Sequence, residues 1–297
     1  MLASCFFLLP SLSALTQTPL DIPTIERITG LKGKENKGEY KITIPQNDLD
    51  LRVDGFHIIP PMGLGTWVAF TPTPDGAMAM GDLVLTETDL KTVQAEVVRQ
   101  GMEITAIHNH FVRNHPNIVY MHVGASGPVS DVAAKVKAVL ASINLSRGHV
   151  PSATAADSVI TTLDAGKLDM ILTQKGEWSK GVYKYTIGRP DIKLTEHGVS
   201  ISTFLGFNTW AAWQGSPDHA AVAGDFTMRE DEVQAVIKAL VSHGIEVVAV
   251  HNHMIHEQPK VFFLHYWGVG NAEELARGLR AALDATGKPA PMDMKMN

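Results

Sequence analysis

Six histidines carry the chemistry this chain can do. His108 and His110 are one residue apart, His122 follows twelve positions later, and the same spacing returns at His251, His253 and His265. Residues i and i+2 of a β-strand face one way, so each His-x-His pair shares a face. If the chain turns at Pro116 or Pro259 and runs back antiparallel, the third imidazole comes near the first two. Three imidazoles without cysteine make the ligand set of a zinc site that keeps one position open. Neutral imidazole suits Cu, Ni or Fe as well, so ligand type alone does not choose the ion. Asp82 and Asp225, each preceded by glycine, are the recurring acids nearest this pattern. Either can serve as a further ligand, as the partner that orients an imidazole N–H, or as a general base. Asn109 and Asn252 face the other way and are expected to tie down backbone.

The pattern gains weight because the chain is written twice. Adding 143 to a residue number turns Tyr40 into Tyr183, Trp67 into Trp210, Gly81-Asp82 into Gly224-Asp225 and Pro116 into Pro259. The register runs without a gap from Leu20/Leu163 to Gly127/Gly270. A lone His-x-His is more often a hydrogen-bonded core feature than a site, but this one survives in two diverging copies. The comparison reduces thirteen histidines to six. His57, His115, His219 and His256 have no histidine mate, although His256 and Glu257 stand where they can enrich the second site.

Stepping along either copy, strand and helix periodicities alternate in one order. Strands are expected at 39–44 and 51–58, then a hairpin of 66–70 with 77–85. A helix follows from the Thr86-x-x-Asp89 capping box to Gln100, with Gly101 behind it. Strands at 103–110 and 118–123 and a helix at 129–143 complete the unit. The second copy gives a helix at 229–242, strands at 246–253 and 260–266, and a helix at 272–285. The expected fold is α+β, a tandem duplication of a β-rich unit with about six strands and two helices per copy, related by a pseudo-twofold axis. The boundaries read as an apolar segment at 1–17, repeat domains at 18–145 and 158–297, and a linker at 146–157.

Composition excludes several classes. A net charge of -6 leaves no basic footprint for nucleic acid, and points to an uncharged or cationic small-molecule or envelope-derived substrate. The letters H-N-H are not the nuclease motif of that name, whose residues are spread along a ββα unit. Cys5 is the only cysteine, which removes disulfides, thiolate nucleophiles and Cys-bound metals. Met1 to Gln17 is an apolar run of signal-peptide length, too short to span a membrane as a helix. Leu2-Ala3-Ser4-Cys5 resembles a lipobox, so a lipid anchor stands beside a cleaved signal. Both place the protein outside the cytoplasm, secreted or in the periplasm or cell envelope. Trp67, Phe70, Trp210 and Trp213, with Phe262, Phe263, Tyr266 and Trp267, can line a sugar- or aromatic-binding groove, but an aromatic sheet core is the favoured reading. Gly63 and Gly206 recur, yet Gly65 becomes Asn208, so no phosphate loop is present.

The stretches GDLVLTETDL and AGDFTMREDEV, with EITAIHNHF…HPNIVYMH and EVVAVHNHMIHEQPKVFFLHYWG, resemble the LppY/LpqO family. These are bacterial secreted or lipoprotein-like proteins with a domain of unknown function. The resemblance covers nearly all of the chain beyond the apolar segment and implies an extracytoplasmic protein of doubled architecture. It implies no activity. The residues themselves point to a secreted metal-dependent enzyme, a hydrolase, with each triad holding Zn²⁺ and Asp82 or Asp225 as base or orienter. The competing expectations are a non-catalytic Cu/Zn-binding protein and a carbohydrate- or small-molecule-binding module.

Overall fold

The computed structural model describes residues 18–147 and 158–287. The apolar segment at 1–17 lies outside the described residues, as do most of the linker and the chain end at 288–297. The first copy comprises α1 (Ile22–Thr29), β1 (Lys34–Asn36), β2 (Glu39–Pro45), β3 (Leu51–Val53), β4 (Phe56–Ile58), β5 (Gly65–Thr73), β6 (Gly76–Thr86), α2 (Glu87–Arg99), β7 (Glu103–His108), β8 (Asn114–His115), β9 (Ile118–Gly127) and α3 (Val129–Arg147). The second comprises α4 (Ala165–Leu172), β10 (Glu177–Ser179), β11 (Val182–Gly188), β12 (Thr195–Glu196), β13 (Val199–Ser200), β14 (Asn208–Gly215), β15 (Ala220–Arg229), α5 (Val233–Ser242), β16 (Glu246–His251), β17 (Glu257–Gln258), β18 (Val261–Gly270) and α6 (Ala272–Asp284). Each copy builds one antiparallel six-stranded sheet, ordered β1-β2-β5-β6-β9-β7 and β10-β11-β14-β15-β18-β16, plus a three-stranded one.

The duplicated α+β fold is the one expected, with local differences that have local causes. α1 and α4 are additional helices, too short for periodicity to reveal. Register mates Asp21 and Asp164 open them, accepting the Thr24 and Lys167 backbone N–H groups at 3.1 Å each. The segment at 51–58 is a hairpin because Asp54 and Gly55 both take positive φ, 46° and 86°. In both copies a carboxylate three residues on accepts the backbone N–H before the helix, Asp89 from Thr86 at 2.7 Å and Glu232 from Arg229 at 2.8 Å, and in the first copy α2 starts at once. In the second, Arg229 stands in place of Thr86 and offers no oxygen to cap with. The first turn is therefore 3₁₀, and α5 begins at Val233 instead of 229.

Alternation along the central strands sets the layers. Leu83, Leu85, Met121 and Val123 pack beneath helix residues Val93, Val97, Val136 and Val139. The intervening residues face the other copy. Tyr120 and Val84 join Ala212, Ala221 and Ala223 in one cluster, while Ala69, Met78 and Met80 join Ile192, Leu205 and Phe263 in another. The order is helices, sheet, sheet, helices, and β6 and β15 are buried on both faces. Among the described residues no helix is long and apolar enough to cross a membrane.

Candidate metal centre and cavity

Strand pairing places the recurring polar residues in a row. Thr43 lies opposite Trp67, Trp67 opposite Asp82, and Asp82 opposite His122. Thr186, Trp210, Asp225 and His265 repeat the row in the second sheet. Directly opposed residues share a sheet face. Their neighbours Val68, Leu83 and Met121 face the helices, so both rows face each other across the interface.

The glycine before each aspartate has two tasks. His265 donates its Nδ1–H to the Gly224 carbonyl at 3.0 Å, and His122 makes the corresponding bond to Gly81. A carbonyl only accepts, so each imidazole is fixed in the tautomer that turns a bare Nε2 to the interface. A Cβ at Gly224 would also overlap the Trp210 carbonyl oxygen, and one at Gly81 would stand 2.7 Å from the Trp67 oxygen.

All six histidines converge. His108 stacks on its own mate His251 at 3.8 Å between ring centroids. His110 meets His265 at 3.8 Å, and the reciprocal pair His253 and His122 meets at 4.1 Å. This reciprocity is that of an isologous interface about a pseudo-twofold axis. Asp82 Oδ2 lies 3.4 Å from His110 Nε2, and Asp225 Oδ2 lies 3.3 Å from His253 Nε2. The six imidazoles are buried, and both ring nitrogens of His108, His110 and His251, with Nε2 of His122 and His265, have no hydrogen-bond partner.

The grouping differs from one triad per copy. Three-histidine sets with ligand atoms within 4.8 Å of one another are His108, His122 and His251, and His108, His110 and His265. Asp225, His251 and His265 form a third such set. The cause lies in the ladder: His122 is opposite Ala106, and Tyr120 is opposite His108. β7 and β16 also stop at the first histidine instead of the second. Asn252 leaves the ladder there and donates to the Met254 carbonyl at 2.7 Å and, across the interface, to that of Thr105 at 2.8 Å.

Burial dominates the electrostatics. It holds His108 down to about 2 and His251, His253 and His265 well below their ordinary value, so the ring nitrogens are neutral lone-pair donors near pH 7. Burial pushes the Asp225 carboxyl well up. Burial also opposes ionisation of Asp82, but neighbouring His122 and His110 outweigh it and hold that carboxyl below the usual range.

Above this floor opens a cavity of about 480 Å³. His110, His122, His253 and His265 line it with both aspartates, while Trp67, Trp210, Lys41 and Lys184 form its walls. Each lysine ammonium sits 4.3 Å over the tryptophan ring of its own copy. Burial lowers both lysines to about 8, helped at Lys41 by the charge of Lys184. Gly63 and Gly206 turn under the tryptophan of the opposite copy, at φ of 102° and 99°. Trp67 and Trp210 are therefore cavity walls, whereas Phe263, Tyr266 and Trp267 are core. Lys41 and Lys184 escape a reading that begins from histidines, although the offset of 143 marks them equally. His256 does not enrich the centre. It joins a separate surface group with Glu103 and His197.

A family model described as Domain of Unknown Function (DUF1259) matches residues 23–142 and again residues 166–285. The chain belongs to this family. Its two DUF1259 copies together contain every residue of the centre described above. No curated protein matches the chain. Among solved structures, EtuB from Clostridium kluyveri is similar at 8% identity and a TM-score of 0.19, over 86% of this chain and 89% of that one. The trimeric bacterial microcompartment shell protein PduB is similar at 10% identity and 0.20, over 86% and 89%. The fused permuted hexameric shell protein MSM0275 from the RMM microcompartment gives 10% and 0.20, over 86% and 96%. Similarity at that level says nothing about the chemistry of this DUF1259 protein.

Proposed function

We propose that the protein is a metal-dependent enzyme, a hydrolase of small anionic molecules, acting in the cavity between its two copies. The observation that carries this is a buried floor of six imidazoles, most of their ring nitrogens unpartnered, beneath a cavity walled by two lysines. Buried polar atoms without partners are costly, and a shared divalent ion removes that cost. Zn²⁺ suits the donor set best, and Cu, Ni or Fe are compatible with it. A bound ion supplies Lewis-acid polarisation.

The chain's own residues do the rest. His122 and His265 are held by glycine carbonyls with Nε2 directed inward. Asp82, beside His110, is placed to accept a proton. Lys41 and Lys184 attract and orient an anion, and Trp67 and Trp210 cover its apolar part. The anion replaces the uncharged or cationic substrate suggested by the net charge of -6, because a ligand meets the local field of the cleft. The motifs of the floor also support placing the chain with the LppY/LpqO proteins. The apolar segment at 1–17 supports export to the envelope or beyond.

Purified full-length chain is expected to retain divalent metal and to hydrolyse at least one chromogenic phosphate, sulfate or carboxylate ester carrying negative charge. Asp82→Asn is expected to keep the metal and lose turnover. Metal without turnover on any such ester leaves a non-catalytic Cu/Zn-binding protein. No metal above trace sinks both readings.

A further inference from the structure

At one edge of the interface three exposed side chains form a group outside the centre. His256 Nε2 lies 3.6 Å from Glu103 Oε1, and the His197 and His256 rings are 4.4 Å apart. One ligand atom from each lies within 4.8 Å of the other two. Glu103 belongs to the first copy and the two histidines to the second.

Internal symmetry supplies the comparison. The mates of Glu103, His197 and His256 at the offset of 143 are Glu246, Asp54 and Arg113. At that opposite edge the Arg113 guanidinium donates to Asp54 at 3.0 Å and to Glu246 at 2.7 Å. A resident cation joins the two copies there. At the first edge the glutamate remains, the cation is gone, and two imidazoles stand where the arginine and the aspartate were.

Two more exchanges point the same way. Glu196 replaces Val53 and is buried behind the group, its Oε1 at 3.7 Å from His197 Nε2 and its Oε2 without a hydrogen-bond partner. It lies directly opposite Glu257 in the ladder, a destabilising like-charge pair unless a cation answers it. Lys260 answers Glu257 at 3.2 Å, while Glu196 faces His197. Gly124 replaces Trp267, whose indole N–H bonds Asp54 at 2.9 Å on the opposite edge. The missing indole leaves a cavity of about 290 Å³ that touches Glu103, Glu196 and His197 and reaches His253.

We propose that Glu103, His197 and His256, backed by Glu196, form a second divalent-cation site at the mouth of this side cavity. Two imidazoles with a carboxylate suit Zn²⁺ and leave room for water. The ion supplies at this edge the charge that Arg113 supplies at the other, and so clamps the two copies when bound. The site does not depend on the reading of the central cluster.

Zn²⁺ titration of the full chain by calorimetry, beside His197→Asp/His256→Arg, tests this. The double variant installs the ion pairs of the opposite edge. It is expected to take up one Zn²⁺ fewer per chain, to keep or raise its Zn²⁺-free Tm, and to lose part of the Zn²⁺-dependent rise in Tm. His256→Gln, a milder change at an exposed position, is expected to lose the same equivalent. Equal stoichiometry and affinity in wild type and both variants overturns the proposal, as does wild type that binds no Zn²⁺. Binding that survives in the variants belongs to the central cluster, so the two sites fail separately.

Discussion

The imidazoles of His108 and His251 lie face to face, 3.8 Å between centroids and 12° from parallel. They are register mates, so the contact sits on the pseudo-twofold axis and belongs to neither copy. A centre built this way cannot be divided between the copies.

His108→Ala alone is therefore expected to remove most of the bound metal, and His251→Ala to do the same. The loss should exceed the roughly 10–100-fold drop in affinity typical of removing an outer partner of a ligand. Metal analysis of each single variant checks this. Retention of half the metal would mean two independent sites.

Lys41 and Lys184 make anion binding pH-dependent. With both held to about 8, the cavity is cationic at neutral pH and loses that charge as pH rises through about 8. Anion affinity should fall over that window, and Lys41→Met should weaken it by at least about tenfold at pH 7 and flatten the profile. Stability runs the other way. Between about 8 and 10.5 the unfolded chain holds the proton that the folded chain has lost, so stability rises with pH there. Anion titration and urea unfolding at pH 7 and 9 measure both.

Metal-free protein should be acid-sensitive. The buried imidazoles are depressed below 6.5, so as pH falls through that value the unfolded chain gains protons that the folded chain refuses. Each imidazole then costs about 1.4 kcal/mol per pH unit. Asp225 acts in the opposite sense, since its raised carboxyl takes a proton in the folded state first and offsets part of one imidazole. The urea midpoint after chelation should fall between pH 7 and pH 5. A flat midpoint would show the imidazoles to be solvated.

Gly63→Ala should cost more than Gly38→Ala, although both glycines have positive φ. At Gly38 the new Cβ meets open space, leaving only the left-handed strain of about 1–2 kcal/mol. At Gly63 it would stand 2.9 Å from the Trp210 ring, adding an overpacking cost of about 1–3 kcal/mol. Equilibrium unfolding gives the difference, and near-ultraviolet dichroism should report a displaced tryptophan only for Gly63→Ala.

Much of the fold was legible because its signals are local. The capping box at Thr86 and Asp89 and the period-two run of β2 are properties of short segments. α1 and α4 were not, because eight residues make too little of a pattern for periodicity to catch, and only terminal signals mark them: Asp21, Pro23 and Gly30 around α1, and Asp164 before α4. The strand end at His251 was missed because the bond that draws Asn252 from the ladder reaches Thr105 in the other copy.

By itself the sequence determined the duplication, the order of the longer strands and helices, and which imidazoles and carboxylates both copies kept. Periodicity and a constant offset are written along one dimension. Only the tertiary structure decided that six histidines share one floor, that Lys41 and Lys184 stand above it, and that His256 lies with Glu103 instead. Those facts depend on which sheet faces meet. That is settled by burying the apolar inner faces of both copies against each other, and no single segment records it.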